Sequence, residues 1–332
     1  MKIIADKNIP FLEGRLREAR LIQLPASEIN AETVRDADAL IVRTRTRCDI
    51  GLLKGSKVRM VATATIGTDH IDLAWCEANG IKVSNAPGCN APGVALYVWS
   101  NLLRNGFDPK KSTLGVIGCG NVGSIVAQWG ERLGAEVLVC DPPRKERGET
   151  DREYLPLEDV LANSDAVTLH TPLTYDGKHP TFHLIDEDSI RHLKEGAIFV
   201  NAARGEVADT ETLIRAIGEG RIGRAVIDTW EGEPDIDPRL LKIADTATCH
   251  IAGYSVEGKQ RATRMALEAV AHTLGATADL SGLQGPYRAP ATLTPEAIIA
   301  AYDSAPMTDA LKSDPAGFET LRNAYPLHSE IL

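Results

Sequence analysis

Short apolar runs alternate with amphipathic segments along most of the chain. In the first ninety residues the apolar runs predict strands at 2–5, 39–42, 58–63 and 81–83. The segments between them predict helices near 11–19, 50–53 and 72–79. Because parallel strands need helical crossovers, this alternation predicts a parallel sheet covered by helices.

A second series of the same kind begins after a segment rich in Pro and Gly at 85–93. A long apolar helix is predicted first, at 94–103. Strands are then predicted at 114–117, 137–140, 166–170, 197–201, 225–228 and 246–248. Helices between them are predicted near 122–133, 157–163, 190–193 and 210–219. The sequence therefore predicts an α/β protein with two doubly wound parallel-sheet lobes.

The C-terminal part of the pattern is predicted to divide between the lobes. A helix at 257–274 returns towards the first lobe, and only weak helices follow, near 295–302 and 318–325. We therefore expect one lobe at 1–90 plus 255–275 and a second at 91–254. A short C-terminal segment at 276–332 remains.

A glycine motif stands where the first strand of the second lobe meets its helix. The sequence Gly118-Cys119-Gly120-Asn121-Val122-Gly123 has the spacing G-x-G-x-x-G. Gly118 permits a tight turn, Gly120 leaves room for a pyrophosphate, and Gly123 lets the helix pack closely on the strand. The N–H groups that begin the helix favour phosphates. With a strand before it and a helix after it, the motif predicts a dinucleotide site.

An acidic residue follows at the position that such a site needs. Asp141 ends the second predicted strand, 18 residues after Gly123, where a carboxylate accepts hydrogen bonds from the adenosine ribose. Because this carboxylate would repel a 2′-phosphate, we expect NAD rather than NADP. Arg144 and Arg147 stand nearby and weaken that preference.

Composition excludes several classes of partner. The chain of 332 residues is long enough for two cores, and its net charge is −10. This charge argues against nucleic-acid and membrane-surface binding, and aromatic residues reach only 5%. No apolar run approaches the ~18 residues of a membrane span. We expect neither a nucleic acid nor a membrane partner.

The N-terminus and the cysteines bear on the compartment. Residues 1–6 read as a strand rather than a signal peptide. Six cysteines lie far apart without a C-x-x-C pair, which favours reduced core thiols over disulfides or zinc. We therefore expect a cytoplasmic protein.

Three residues with suitable chemistry follow strands of the second lobe. Arg204 follows the strand at 197–201, Glu233 follows the strand at 225–228, and His250 follows the strand at 246–248. The carboxyl ends of parallel strands meet at one edge of a sheet. A cation, a carboxylate and a histidine there could bind a hydroxy acid and remove its hydroxyl proton.

These turns resemble the D-2-hydroxyacid dehydrogenase family, whose motifs R-G, D-x-x-x-x-E-P and H-I-x-G occur here in that order. The resemblance covers residues 39–259. Within the family, segments resemble the erythronate-4-phosphate branch at 64–70, 86–90, 140–144, 250–255 and 256–259. The resemblance implies a flavodoxin-like substrate lobe, a Rossmann NAD lobe and a homodimer formed by a shortened C-terminal segment.

The resemblance also implies the reaction and its catalytic residues. NAD-dependent oxidation of 4-phospho-D-erythronate at C2 would give the 2-oxo acid, a step towards pyridoxal phosphate. His250 would take the hydroxyl proton, Glu233 would orient His250 and stabilise its cation, and Arg204 would bind the substrate carboxylate.

Binding residues follow from the same resemblance. The residues expected to contact the cofactor are Gly118, Gly120, Asn121, Val122, Gly123, Asp141, Thr171, Ala202, Ala203, Asp228 and Gly253. The residues expected to contact the substrate are Thr44, Thr65 and Tyr254.

An arginine-rich segment offers a site for the substrate phosphate. If 42–47 stays extended, Arg43, Arg45 and Arg47 share one face and Thr44 faces the other way. We hypothesise that at least one of these arginines, with Arg43 foremost, binds the phosphate. A solvated edge with ordinary salt bridges is an equal alternative.

Other interpretations of the chain stay open. His179 and His183 have the spacing of metal ligands on a helix, but Pro180 disfavours a helix there, so we expect no metal. The chain could act on another D-2-hydroxy acid, for instance 3-phosphoglycerate. It could also be an NAD-sensing binding protein without turnover, because the fold alone does not fix the function.

Overall fold

Two parallel sheets organise the chain, and the computed structural model describes residues 1–150 and 152–330. Unit 1 comprises Met1–Asn90 and Ser255–Arg288, and unit 2 comprises Ala91–Tyr254 and the residues from Ala289 onward. Each unit has its own sheet. Residues 276–288 thus pack with unit 1, whereas the later part of the C-terminal segment packs with unit 2.

Unit 1 is built on a five-stranded parallel sheet in the order β3-β1-β4-β5-β6. Its elements along Met1–Asn90 are β1 (Lys2–Asp6), β2 (Leu16–Arg17), β3 (Arg20–Leu24), a 3-10 turn (Ala26–Glu28), α1 (Ala31–Val34), β4 (Ala39–Val42), α2 (Ile50–Leu53), β5 (Met60–Thr63), α3 (Leu73–Ala78) and β6 (Lys82–Ser84). Every residue of β4 and β5 is buried, as expected for central strands covered on both faces.

Unit 2 is built on a six-stranded parallel sheet in the order β12-β11-β10-β9-β7-β8. Its elements up to Tyr254 are α4 (Ala91–Arg104), β7 (Thr113–Ile117), α5 (Asn121–Leu133), β8 (Glu136–Cys140), α6 (Pro142–Glu146), α7 (Leu157–Asn163), β9 (Ala166–Leu169), α8 (Glu187–Ile190), β10 (Ala197–Asn201), a 3-10 turn (Gly205–Val207), α9 (Thr210–Gly218), β11 (Ile222–Ile227), α10 (Pro238–Ile243) and β12 (Thr246–Ala247). The strand order reverses at β7, the strand that carries the glycine motif. Binding crevices in such sheets lie at this reversal.

The rest of the chain returns to unit 1 and then to unit 2. Its elements are α11 (Val256–Leu274), β13 (Thr277–Ala278), α12 (Pro295–Ala301), α13 (Ala305–Ser313), a 3-10 turn (Pro315–Gly317) and α14 (Phe318–Ala324). Leu267 and Val270 of α11 are buried in the core on one face of the unit 1 sheet. Phe318 of α14 and Leu311 of α13 are buried in the core of unit 2.

The predicted parallel sheets are confirmed, but the helix predicted at 11–19 is wrong. Gly14 has a φ of 71° and Glu18 a φ of 61°, which a right-handed helix cannot contain. Instead, β2 pairs antiparallel with β13, with Leu16 opposite Ala278. This long-range pairing decides the local structure, and local periodicity cannot reveal it.

Several helices of unit 2 also differ from the prediction. The helix predicted at 190–193 lies one turn earlier, at Glu187–Ile190, because Asp186 caps it and accepts hydrogen bonds from the backbone N–H groups of Asp188 and Ser189. Helices α6, α10 and α13 were not predicted. In the part of the chain that the structure describes, no helix has the length and apolar character needed to cross a membrane.

All six cysteines are buried thiols. Burial raises the pKa of the Cys48, Cys140 and Cys249 thiols to about 12. These side chains are therefore neutral at physiological pH and pack as small apolar groups.

Candidate active site

The glycine motif forms the turn that its spacing predicts. Gly118 has a φ of 88°, and a Cβ on it would lie 2.8 Å from the backbone of His170. A Cβ on Gly123 would lie 1.9 Å from the carbonyl oxygen of Gly118, whereas a Cβ on Gly120 would meet nothing within 4 Å. The turn therefore requires glycine at 118 and 123, and the backbone at Gly120 borders open space.

Asp141 joins the end of β8 to this glycine turn. Its Oδ2 accepts a hydrogen bond from the Cys119 N–H at 2.8 Å, and its Oδ1 accepts one from the Arg144 N–H at 3.0 Å. The guanidinium groups of Arg144 and Arg147 both pair with Glu149. The arginines near Asp141 are thus engaged with a carboxylate of their own chain.

A cleft of about 860 Å³ opens along the glycine turn and Asp141. Gly118, Gly120, Asn121, Asp141 and Thr171 are among its lining residues. The Thr171 hydroxyl is buried and has no hydrogen-bond partner among residues 1–150 and 152–330. A buried hydroxyl of this kind usually has a partner, so the cleft wall offers an unused donor and acceptor to a ligand.

His250 and Glu233 meet in unit 2. His250 Nδ1 lies 2.8 Å from Glu233 Oε2, and the Trp230 N–H donates a hydrogen bond to Glu233 Oε1 at 2.9 Å. Burial would raise the pKa of the Glu233 carboxyl, but its hydrogen bond with His250 and the charge of His250 bring that pKa below its usual value. The carboxylate is therefore ionised and bonds to Nδ1 of the ring. Nε2, on the opposite side of the ring, is not engaged by Glu233.

Asp228 holds the turn on which His250 stands. Its carboxylate accepts hydrogen bonds from the Thr248 hydroxyl at 2.6 Å and from the N–H groups of Ile251 and Ala252 at 2.8 and 3.0 Å. His250 itself has a φ of 57°, which is uncommon for a residue other than glycine. Burial raises the pKa of the Asp228 carboxyl, although these hydrogen bonds and the charge of His250 oppose the rise. Asp228 thus stabilises an unusual backbone conformation at the histidine.

Arg204 lies on the turn after β10, and Gly205 fixes that turn against the loop of Glu233. A Cβ on Gly205 would lie 1.9 Å from the carbonyl carbon of Trp230. No carboxylate of the described residues lies within 4 Å of the Arg204 guanidinium, which donates a hydrogen bond to the Ala203 carbonyl at 2.7 Å. The Arg204 turn therefore presents a cation whose charge is not neutralised by an acid of the described chain.

The chain is similar to known dehydrogenases along most of its length. The family model for the NAD binding domain of D-isomer specific 2-hydroxyacid dehydrogenases matches residues 95–252. An erythronate-4-phosphate dehydrogenase of Bacteroides fragilis is 44% identical to the chain, and the alignment covers 99% of the chain and 97% of that protein. The chain belongs to the D-2-hydroxyacid dehydrogenase family.

Further relatives agree with this assignment. An erythronate-4-phosphate dehydrogenase of Salmonella arizonae is 44% identical over 83% of the chain and 74% of that protein. The crystal structure of an NAD⁺-bound 3-phosphoglycerate dehydrogenase of Entamoeba histolytica matches with a TM-score of 0.67 at 26% identity, over 87% of this chain and 99% of that chain. The predictions of an NAD-dependent dehydrogenase and of its fold are thereby confirmed.

The cofactor residues expected in this dehydrogenase family member all lie in unit 2. Asn121, Val122 and Gly123 begin α5, beside the open space at Gly120. Ala202 and Ala203 follow β10, and Gly253 lies in the turn after His250. The open space and the Thr171 hydroxyl, which has no hydrogen-bond partner among the described residues, fit a dinucleotide. The individual contacts of these residues with NAD stay predictions.

Substrate residues predicted in unit 1 are placed differently from the expected strand. Segment 42–47 is not extended, because β4 ends at Val42 and the Thr46 N–H donates to the Arg43 carbonyl in a turn. The predicted alternation of the arginine side chains is therefore wrong. Arg43 Nε pairs with the buried Asp6 at 3.0 Å. Phosphate binding by Arg43 and substrate binding by Thr44 stay predictions.

Thr65, His70 and His170 have partners of their own. Thr65 Oγ1 lies 2.6 Å from Thr63 Oγ1, which also lies 3.1 Å from His70 Nε2. Substrate binding by Thr65 stays a prediction. His170 Nε2 lies 3.0 Å from Thr168 Oγ1, and burial lowers the pKa of His170 to about 3. Each ring thus bonds to the strand that precedes it in the chain.

A cluster around His183 was not expected from the sequence. His183 Nε2 lies 2.8 Å from Glu231 Oε1, and one ligand atom from each of His183, Asp209 and Glu231 lies within 4.8 Å of the others. Asp209 also caps α9, and Glu231 accepts a hydrogen bond from the Thr210 N–H. These carboxylates already have structural roles. His179 instead pairs with Glu146 at 2.8 Å.

Replacing Gly205 by alanine should damage catalysis and stability together. The added Cβ would collide with the Trp230 backbone, so the turns of Arg204 and Glu233 must separate. Displacement of catalytic groups by about 1 Å can cost ~10²-fold in rate, and overpacking costs about 1–3 kcal/mol. We expect a loss in kcat/KM of that order and a lower Tm, measured by NADH absorbance and calorimetry.

The Gly218→Ala variant is the matched control, since a Cβ on Gly218 meets nothing within 4 Å and Gly218 ends helix α9. It should keep wild-type rates and Tm. Equal behaviour of the two variants would contradict the close approach at Gly205.

Proposed function

We propose that this dehydrogenase oxidises 4-phospho-D-erythronate at C2 with NAD and forms the 2-oxo acid. The 2.8 Å contact between His250 Nδ1 and Glu233 Oε2 carries the chemical part of this proposal. The substrate is supported by the 44% identity to the erythronate-4-phosphate dehydrogenase of Bacteroides fragilis over nearly both full lengths.

His250 acts as the general base in this proposal. Its Nδ1–H donates to the ionised Glu233, so the lone pair of Nε2 accepts the proton of the C2 hydroxyl. The glycine turn and Asp141 would hold NAD, which would supply the acceptor for the hydride of C2. The imidazolium formed at His250 is stabilised by the adjacent carboxylate, and the electron pair of the broken O–H bond forms the second carbon–oxygen bond of the 2-oxo acid.

Arg204 binds the carboxylate next to the reacting carbon. A guanidinium forms two parallel hydrogen bonds with a carboxylate, which fixes the orientation of C2 as well as its position. Its positive charge also stabilises the negative charge that develops on the hydroxyl oxygen as the proton leaves. This role suits a guanidinium that has no acidic partner within 4 Å among the described residues.

A substrate panel tests the assignment directly. The purified protein is assayed for NADH formation with 4-phospho-D-erythronate, 3-phospho-D-glycerate and D-lactate. We expect kcat/KM to be highest for the first by roughly 10²-fold, because a site that binds both a phosphate and a hydroxyl chain penalises analogues that leave polar groups without partners.

Two outcomes of the panel would overturn the proposal. A higher kcat/KM for 3-phosphoglycerate would assign the chain to another activity of the family. NAD binding without turnover of any acid would favour the NAD-sensing alternative. The homodimer implied by the resemblance and the cytoplasmic location expected from the cysteines and the N-terminus stay predictions beside this proposal.

A further inference from the structure

The C-terminal helix of unit 2 packs on the turn that follows His250. Arg322 of α14 donates a hydrogen bond from Nε to the Tyr254 hydroxyl at 3.2 Å. Its guanidinium carbon lies 5.9 Å from the centre of the Tyr254 ring. The His328 N–H donates to the Tyr254 carbonyl at 3.3 Å. Tyr254 is thus held at its hydroxyl, its ring and its carbonyl by residues more than sixty positions later in the chain.

The helix that carries Arg322 is anchored firmly. Phe318, in the first turn of α14, is 1% exposed and belongs to the core of unit 2. The Tyr325 hydroxyl donates to the Tyr302 hydroxyl at 3.4 Å, and the Tyr325 ring meets the Tyr254 ring edge-on at 6.3 Å. These contacts fix the backbone from which Arg322 reaches Tyr254.

Arg322 lies close enough to the catalytic pair to affect it electrostatically. The pKa of Glu233 is raised by burial and lowered mainly by His250, and the positive charge of Arg322 lowers it further. The nearest carboxylate to Arg322 among the described residues is that of Glu319, at 3.6 Å. The Arg322 guanidinium is only 22% exposed, and its acidic partner lies 3.6 Å away. Burying a charge with such a partner lowers the stability of the fold, which indicates a functional reason for its position.

We propose that Arg322 is a positioning residue of this enzyme, which holds the Tyr254 hydroxyl ready for the substrate. A hydroxyl that accepts a hydrogen bond from a cation donates its own proton more strongly. Tyr254 then donates to an anionic oxygen of the hydroxy acid, while Arg322 acts through it. The proposal rests on the proposed dehydrogenase function and on the substrate contact that the resemblance implies for Tyr254, and it adds a residue of the C-terminal segment to them.

A double-mutant cycle on the full chain tests this role. The variants are Arg322→Gln, Arg322→Lys, Tyr254→Phe and the pair Arg322→Gln with Tyr254→Phe. KM, kcat and the NAD dissociation constant are measured with the hydroxy acid that the wild type oxidises best. Using that acid separates a failure of this proposal from a wrong choice of substrate.

We expect Arg322→Gln to raise KM for the hydroxy acid roughly tenfold with little change in NAD affinity, because the lost orientation affects substrate contacts. Arg322→Lys should recover part of the loss, since it keeps the charge. In the Tyr254→Phe background, the rise in KM caused by Arg322→Gln should be smaller by about threefold or more, because the effects of residues in contact are not additive.

Additive effects of the two substitutions would overturn the proposal, because Arg322 would then act without Tyr254. An unchanged KM accompanied by a lower Tm would also overturn it, since the role would be structural. Arg191→Gln is the matched control, because Arg191 forms the same i,i+3 ion pair on a helix end, with Asp188. This variant should leave KM for the hydroxy acid unchanged, both in the wild type and in the Tyr254→Phe background.

Discussion

Replacing His250 by asparagine should lower kcat about 10²–10⁴-fold, the usual contribution of a positioned general base. Asparagine is the substitution of choice because His250 has a φ of 57°, a conformation that asparagine tolerates better than most residues. The turn held by Asp228 should therefore survive. The measurement is NADH formation under saturating NAD and substrate, together with NAD affinity by calorimetry.

His192→Asn serves as the control for this prediction. His192 is exposed and follows helix α8, outside the catalytic pair, so its loss should change kcat little. A His250 variant that retains wild-type kcat would remove the base from the mechanism. Loss of NAD affinity in the same variant would instead indicate a disturbed turn, which the asparagine is chosen to avoid.

Replacing Glu233 by glutamine should lower kcat about 10²-fold and move the acid limb of the pH profile to lower pH. The pKa of Glu233 lies below its usual value, so the carboxylate stays ionised across the pH range in which a histidine gains its proton. Protonation of Glu233 therefore does not set the acid limb. A neutral amide stabilises a cation at His250 less than a carboxylate does, so the acid limb moves to lower pH.

The pH dependence of kcat/KM for wild type and variant tests the direction of this shift. Glu231→Gln is the matched control, because Glu231 lies in the same loop but pairs with His183. It should leave the acid limb in place. A shift of the Glu233 variant to higher pH would show that Glu233 does not stabilise the cation.

Local signals in the sequence were enough to predict the dinucleotide site. Gly118 needs a positive φ, Gly123 needs close packing, and Asp141 must stand at the end of the next strand. Each requirement concerns neighbouring residues or one strand–helix–strand unit, so it leaves a readable pattern. The order of the turns carrying Arg204, Glu233 and His250 was readable for the same reason.

The contacts inside the candidate site were decided by the tertiary structure. Glu233 and His250 stand 17 residues apart, and Arg322 and Tyr254 stand 68 apart. The sequence around each of these residues does not indicate which distant side chain that residue contacts.

The same reason explains the predictions that failed. Residues 11–19 have helical periodicity, yet Leu16 pairs with Ala278 of a distant strand. The segment after Val42 reads as a continued strand, yet it turns, and Arg43 pairs with Asp6. By itself the sequence determined the fold class and predicted the NAD site and the reacting groups, because these depend on local turn and capping chemistry. Only the tertiary structure decided which residues hold His250 and its turn in place, because those contacts depend on which distant segments pack together.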